Sequence, residues 1–218
     1  MRGLLIKDWR LLTGRRNYFF MVVAIGIIFM FVNEDANFSV GYMTILMTIF
    51  AMSTISYDEF ENGMAFLMTL PVGRKSYVQE KYVFGILCAG MMAILSTVLS
   101  LVIALVTESG ADYKETLVLG VSMLGIATLI LSIMIPIEIK FGVEKGRTAM
   151  GIIGGVVFLM VFAFSYLGEK LHVDMTGIVT FFAGMSQSGL IAMLVIVLVV
   201  VILVSYLLSV RFMKQKEF

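Results

Sequence analysis

LIAMLVIVLVVVILVSYLLSV, residues 190–210, is a run of 21 residues with no charged side chain. A bilayer core about 30 Å thick is crossed by roughly 20 helical residues, so this run predicts a transmembrane helix. Reading outward from it, five more apolar runs fit or nearly fit: Tyr18–Val32, Phe38–Ser56, Tyr82–Val106, Thr116–Ile137 and Thr148–Leu167. The first is short and is expected to borrow a turn from Arg15–Asn17. The 218-residue chain is 60% hydrophobic and 14% charged, against about 25% charged in a soluble domain. Such a chain needs lipid as part of its solvent. The expected fold is all-α, one polytopic membrane domain of six transmembrane helices.

The positions of the charges orient the spans. With the N-terminus inside and the chain alternating, Arg2, Lys7, Arg10, Arg15, Arg16, Arg74, Lys75, Lys81, Lys140, Lys145, Arg147, Arg211, Lys214 and Lys216 lie inside. Lys114 and Lys170 alone lie outside, a split of 14 to 2, whereas the acidic residues divide 8 to 7. The positive-inside rule counts Lys and Arg in short loops, so both termini are expected in the cytoplasm. The net charge of +1 gives no field that would attract nucleic acid.

Several classes of function lack their residues. No charged residue falls inside any of the six runs, which argues against a proton-coupled carrier or an ion pathway. The single cysteine, Cys88, and the single histidine, His172, exclude a disulfide framework within the chain and leave no cysteine cluster for a metal. Gly142-Val-Glu-Lys-Gly146-Arg-Thr148 misses the phosphate-loop pattern in spacing and lysine placement. Neither H-E-x-x-H nor G-x-S-x-G occurs, so a membrane enzyme has no catalytic set. Ser53, Thr54, Ser96 and Thr97 are expected to bond to their own helix or a neighbour. The basic N-terminus followed by Tyr18–Val32 mimics a signal peptide, but Asn33, Glu34 and Asp35 follow it in place of a small-residue cleavage signal.

The inside segments have patterns of their own. In Gly3–Gly14, Leu5, Trp9 and Leu12 share one face with Leu4 and Leu11 beside it, and Lys7 and Arg10 point away. This predicts a helix lying in the cytoplasmic interface, Trp9 at headgroup level. The segment Tyr57–Lys81 opens on Asp58, Glu59 and Glu61, turns apolar at Met64–Leu70, and ends on Pro71, Gly73, Arg74 and Lys75. Phe66 and Leu70 are one turn apart, with Phe60 placed to share their face, and Pro71 stops a helix near Leu70. A short amphipathic helix, a turn and a helix leading into the third span are expected. Glu138–Arg147 is a shorter segment of the same kind, with Pro136 at its entrance. Outside, Ile178, Val179, Phe181 and Phe182 lie between Gly177 and Gly184, too few residues to span; an interfacial or re-entrant turn is expected.

Two further patterns concern the membrane interior. Gly151 and Gly155 lie four apart, a spacing that lets another helix approach. Met43 and Met47, with Thr44 and Thr48 beside them, form a flexible apolar stripe on the second span. That stripe is either a path for an apolar substrate or ordinary packing.

Ser56-Tyr57-Asp58-Glu59, Leu70-Pro71-Val72-Gly73-Arg74-Lys75, Val78 and Lys81-Tyr82 resemble the bacterial type-2 ABC transporter permeases. So do Gly3-Leu4-Leu5-Ile6-Lys7-Asp8 and Pro136-Ile-Glu-Ile-Lys140-Phe-Gly-Val-Glu-Lys-Gly-Arg147. The chain looks most like the small six-helix permeases grouped with exporters of amphipathic peptide toxins (phenol-soluble modulins) and lantibiotic immunity transporters. It departs at Asn62-Gly63-Met64, where members often carry a polar-aromatic run. The resemblance implies a bacterial cytoplasmic-membrane subunit with no ATPase of its own. A cytoplasmic ABC subunit would bind ATP and magnesium, and a second permease, a copy or close paralogue, would complete the path. Gly3–Gly14 would be the connecting helix. The ATPase contacts would be Asp58, Glu59, Phe60, Phe66, Leu70, Pro71, Arg74 and Lys75, with Lys140, Phe141, Gly142, Glu144 and Arg147 as a second contact. Amphipathic or hydrophobic peptides are the implied cargo. A non-transporting sensor or assembly protein, or an ion-coupled secondary carrier, is the alternative from another class.

Overall fold

The computed structural model describes residues 1–32, 37–60, 63–107, 113–171 and 187–216. The side chains of Asn37 and of many residues between 143 and 191 lie outside this description. The described residues are almost wholly helical, with no strand among them. The helices are α1 (Arg2–Gly14), α2 (Arg16–Val32), α3 (Asn37–Glu59), α4 (Gly63–Thr69), α5 (Arg74–Val106), α6 (Tyr113–Leu171) and α7 (Gln187–Gln215).

Four helices among the described residues are long and apolar enough to cross a membrane: Phe38–Glu59, Arg74–Val106, Tyr113–Gly142 and Ala192–Gln215. The chain bends by 64° between α1 and α2, where Arg15 and Arg16 interrupt the apolar pattern. Taking the bent pair as one span gives five. The fifth expected span, residues 148–167, is helical as well, with most of its side chains outside the described residues. The chain is thus an all-α, multi-pass membrane protein.

α5 has 33 residues and is roughly 50 Å long at about 1.5 Å per residue. That exceeds what a bilayer needs. Its polar first turns, Arg74–Lys81, therefore project beyond Tyr82–Val106, the part that crosses.

The core forms where α3, α5 and α6 pack on one another, with α7 against α6 and α5, and α2 against α3. Small residues permit the close approaches. A side chain at Gly85 would meet Leu131 at 2.8 Å, so α5 and α6 touch nearly backbone to side chain. Polar glue joins the same helices. Tyr82 Oη lies 2.5 Å from Ser205 Oγ and 3.0 Å from Ser209 Oγ, and Ser205 donates to the Ser132 carbonyl.

The methionine stripe is part of this core. Met43, Thr44, Met47 and Thr48 are all buried. Thr44 and Thr48 donate to the Val40 and Thr44 carbonyls, both at 2.7 Å, and Met43 fills the space that Gly26 leaves. Within one chain these residues pack in the core, and Met47 also lines a hollow of about 150 Å³ with Leu12, Phe19 and Met92. Ser53, Thr54, Ser96 and Thr97 bond back to their own helices.

The interfacial helix is rotated from the expected face. Leu4, Asp8 and Leu12 point inward and Trp9 is half exposed. A carboxylate turned inward changes the reading, because Asp8 has a buried partner. The helix break near the third inside segment also moves. Pro136 sits inside α6 without ending it, and the non-helical residue is Gly142, at φ 74° and ψ 169°. That combination is open essentially to glycine alone.

Candidate functional site

Where α1, α3 and α5 meet, two cations face three carboxylates. Lys81, buried at the top of the projecting part of α5, pairs with Asp8 of α1 and with Asp58 Oδ2 of α3 at 2.8 Å. It also donates to Thr54 Oγ1 at 3.1 Å. Lys7 joins the same two acids, Asp8 Oδ1 at 2.7 Å and Asp58. Tyr77 donates to Asp58 Oδ2 at 3.1 Å. Glu80, also fully buried, has Lys81 at 3.7 Å, beyond hydrogen-bond distance. Burial pushes the Asp8 carboxyl up, but Lys81 and Lys7 outweigh it and hold it below its ordinary range. The cluster ties α1, α3 and α5 together through charge-assisted bonds, which are stronger and more directional than neutral ones.

Asp58 and Glu59 therefore stand elsewhere than expected. Both belong to the last turn of α3, not to the short helix. Asp58 is buried in the cluster, where it cannot face a docking protein. Glu59 pairs with Lys216 at 2.5 Å. Glu61 and Asn62 lie outside the described residues. The reason is helical phase: the α3 periodicity that buries Ile55 also turns Asp58, three residues on, inward.

The short helix itself is α4, and it ends at Thr69, just before Leu70-Pro71. Met64 and Leu67 anchor it inward. Phe66 is 70% exposed and Phe60 69%, and Leu70, Pro71 and Lys75 are exposed as well. Arg74 donates to the Lys214 carbonyl at 2.6 Å. An exposed aromatic knob on a short helix has the character of a partner contact.

The segment around Lys140 converges on the same region. Lys140 Nζ lies 4.9 Å from the ring centres of Phe141 and of Phe212 on α7. A side chain at Gly142 would meet the Glu59 carboxylate at 3.2 Å. The side chains of Glu144 and Arg147 lie outside the described residues. Gly151 and Gly155 are exposed, and a side chain there would meet nothing within 4 Å, so both are open to an approaching helix.

The charge cluster was not legible as a unit. Lys81 reads as one more cytoplasmic cation, and Asp8 as the polar side of an amphipathic helix. The available signal was Leu4-Asp8-Leu12, an acid in an otherwise apolar i, i+4 stripe. Among the described residues no group of His, Cys, Asp and Glu could hold a metal ion.

A family model described as ABC-2 family transporter protein matches residues 3–214. No curated protein and no solved structure matches the chain.

Proposed function

The chain belongs to the ABC-2 family of transporter proteins, and from that premise we propose that it is the membrane subunit of an ATP-driven exporter of amphipathic or hydrophobic peptides. The permease role comes with the family, whose members are the transmembrane component and not the ATPase. The family also implies a partnership with an ATP-binding subunit. In our reading ATP and its magnesium reside on that subunit, and a second permease, identical or closely related, completes the path. The exposed face of Gly151 and Gly155 suits such a pairing. We place the assembly in a bacterial cytoplasmic membrane with both termini inside, on the distribution of lysine and arginine.

The observation that carries the coupling mechanism is the exposed Phe66 of α4, close in the chain to the buried charge cluster. When the ATPase closes, a push on α4 reaches the last turn of α3. Asp58 then transmits it across its bonds to Lys81 and Lys7. Helices α5 and α1 follow α3 because a buried ion cluster is costly to pull apart. The peptide cargo rests on the resemblance to peptide exporters and on spans without charge.

The test is co-purification with the ABC subunit encoded beside the gene, in lipid nanodiscs. Phe66→Asp should lower recovery of that subunit roughly ten-fold or more, as removal of an aromatic hot spot does, while the variant still inserts and folds. Recovery equal to wild type would remove α4 as the docking element. ATP hydrolysis stimulated by an amphipathic helical peptide is expected of the wild-type complex, and its absence would overturn the peptide cargo.

A further inference from the structure

We infer that the groove between α1 and α5 holds a phospholipid with an anionic headgroup as a bound structural lipid. Three hollows adjoin along it. The central cleft, about 440 Å³, is walled by Leu5, Trp9, Phe84, Leu87 and Met91, with Arg10 at its rim. An inner hollow of about 150 Å³ shares Trp9, Cys88 and Met91 and continues toward Leu95. On the other side an open hollow of about 410 Å³ shares Arg10 and adds Lys7 and Gly3. Polarity thus falls along one direction, from cations at the cytoplasmic end to hydrocarbon walls inside.

An amphiphile with a negative head matches that order. Leu87 and Met91 are exposed on a helix that reads as a span, so the cleft opens onto the lipid chains. Its walls are almost wholly apolar, so water gains no partners there. An acyl chain fills it without leaving the hydrocarbon. The chain gives little preference among lipids, because bulk hydrocarbon is as apolar as the cleft. The choice of headgroup falls to Arg10, which is exposed, since Lys7 is already paired with Asp8 and Asp58. Cations at this level favour the anionic lipids of the cytoplasmic leaflet, and the Trp9 ring has the amphipathic character of residues at headgroup depth. The lipid is bound and not carried, so the inference stands apart from the transport reading.

Photolabelling of the purified full-length chain tests it. Nanodiscs of phosphatidylcholine are doped with phosphatidylglycerol carrying a diazirine in its acyl chain, or with phosphatidylcholine carrying the same group. The phosphatidylglycerol adduct should map to α1 and to the first turns of the α5 span, several-fold above the phosphatidylcholine adduct. Arg10→Gln should lower it roughly five-fold, the effect of one cation at an anionic surface. Met91→Trp, which fills the cleft, should lower labelling by both lipids. Equal labelling by the two headgroups, or labelling unchanged in both variants, would overturn the proposal. So would loss of the adduct when an amphipathic peptide is present before photolysis, which would make the groove a peptide site. None of these readouts involves an ATPase, so failure here and failure of the transport reading are separate results.

Discussion

Lys81 satisfies carboxylates from two different helices, so its loss leaves Asp8 and Asp58 buried with Lys7 as their remaining cation. Lys81→Met should therefore destabilise the chain by about 3–5 kcal/mol, the usual cost of breaking a buried ion pair from one side. Denaturant unfolding in detergent measures it, and a loss under about 1 kcal/mol would mean that the cluster is solvated and not buried. Glu80 has the opposite expectation. Two cations face three carboxylates, and Glu80 is the one outside the tight bonds. Burial pushes the Glu80 carboxyl up to about 7, so Glu80→Gln removes little charge at constant shape, and unfolding should move within about 1 kcal/mol of wild type or toward higher stability. Gly142 is the other residue with a sharp expectation. Its positive φ and the Glu59 carboxylate beside it both oppose a Cβ, and Gly142→Ala should cost about 1–3 kcal/mol. A neutral result would show that the α6 break relaxes freely.

Between elements, the membrane offers no hydrophobic drive to bring α5 and α7 together, so packing and hydrogen bonds decide. Within the span, Tyr82 with Ser205 and Ser209 is a polar contact that joins them. Tyr82→Phe keeps the ring and its edge contact with Tyr206 but removes the hydroxyl. The expected loss is about 0.6 kcal/mol and no more than about 2 kcal/mol, read by the same unfolding assay. A larger loss would mean that the serines find no substitute within their own helices. Near its C-terminus α7 also touches the ends of α3 and α5, through Lys216 to Glu59 and the Lys214 carbonyl to Arg74. The last helix therefore holds both ends of the α3–α4–α5 connection.

For the molecule as a whole, topology is the property to measure. Cysteines introduced singly at Lys75 and Lys114, both exposed, report the two sides, and the native Cys88 is fully buried and serves as an unreactive background. An impermeant maleimide on intact cells should label Lys114→Cys, and Lys75→Cys only after lysis. The reverse pattern would invert the orientation on which the cytoplasmic ATPase contact depends.

Much of this protein is written in composition and period. Long uncharged runs such as residues 190–210 dictate helices in a membrane, because no other open-ended structure satisfies its own backbone there. Pro71 ends α4 where its missing donor says it must. The exposed Phe66 and Leu70 also follow from helical phase. Partnering lies beyond such signals. Asp8, Asp58 and Lys81 are separated by tens of residues, and each reads alone as a solvated charge. Only the approach of α1, α3 and α5 removes their water and makes them one cluster. The same holds for Met43, whose place against Gly26 no local pattern announces. The sequence by itself determined the elements, their solvent and the side of the membrane expected to carry the cations, since these depend on residues near one another in the chain. The tertiary structure alone decided which charges are buried, which knobs remain free and where α6 breaks, because those depend on what distant segments place beside each residue.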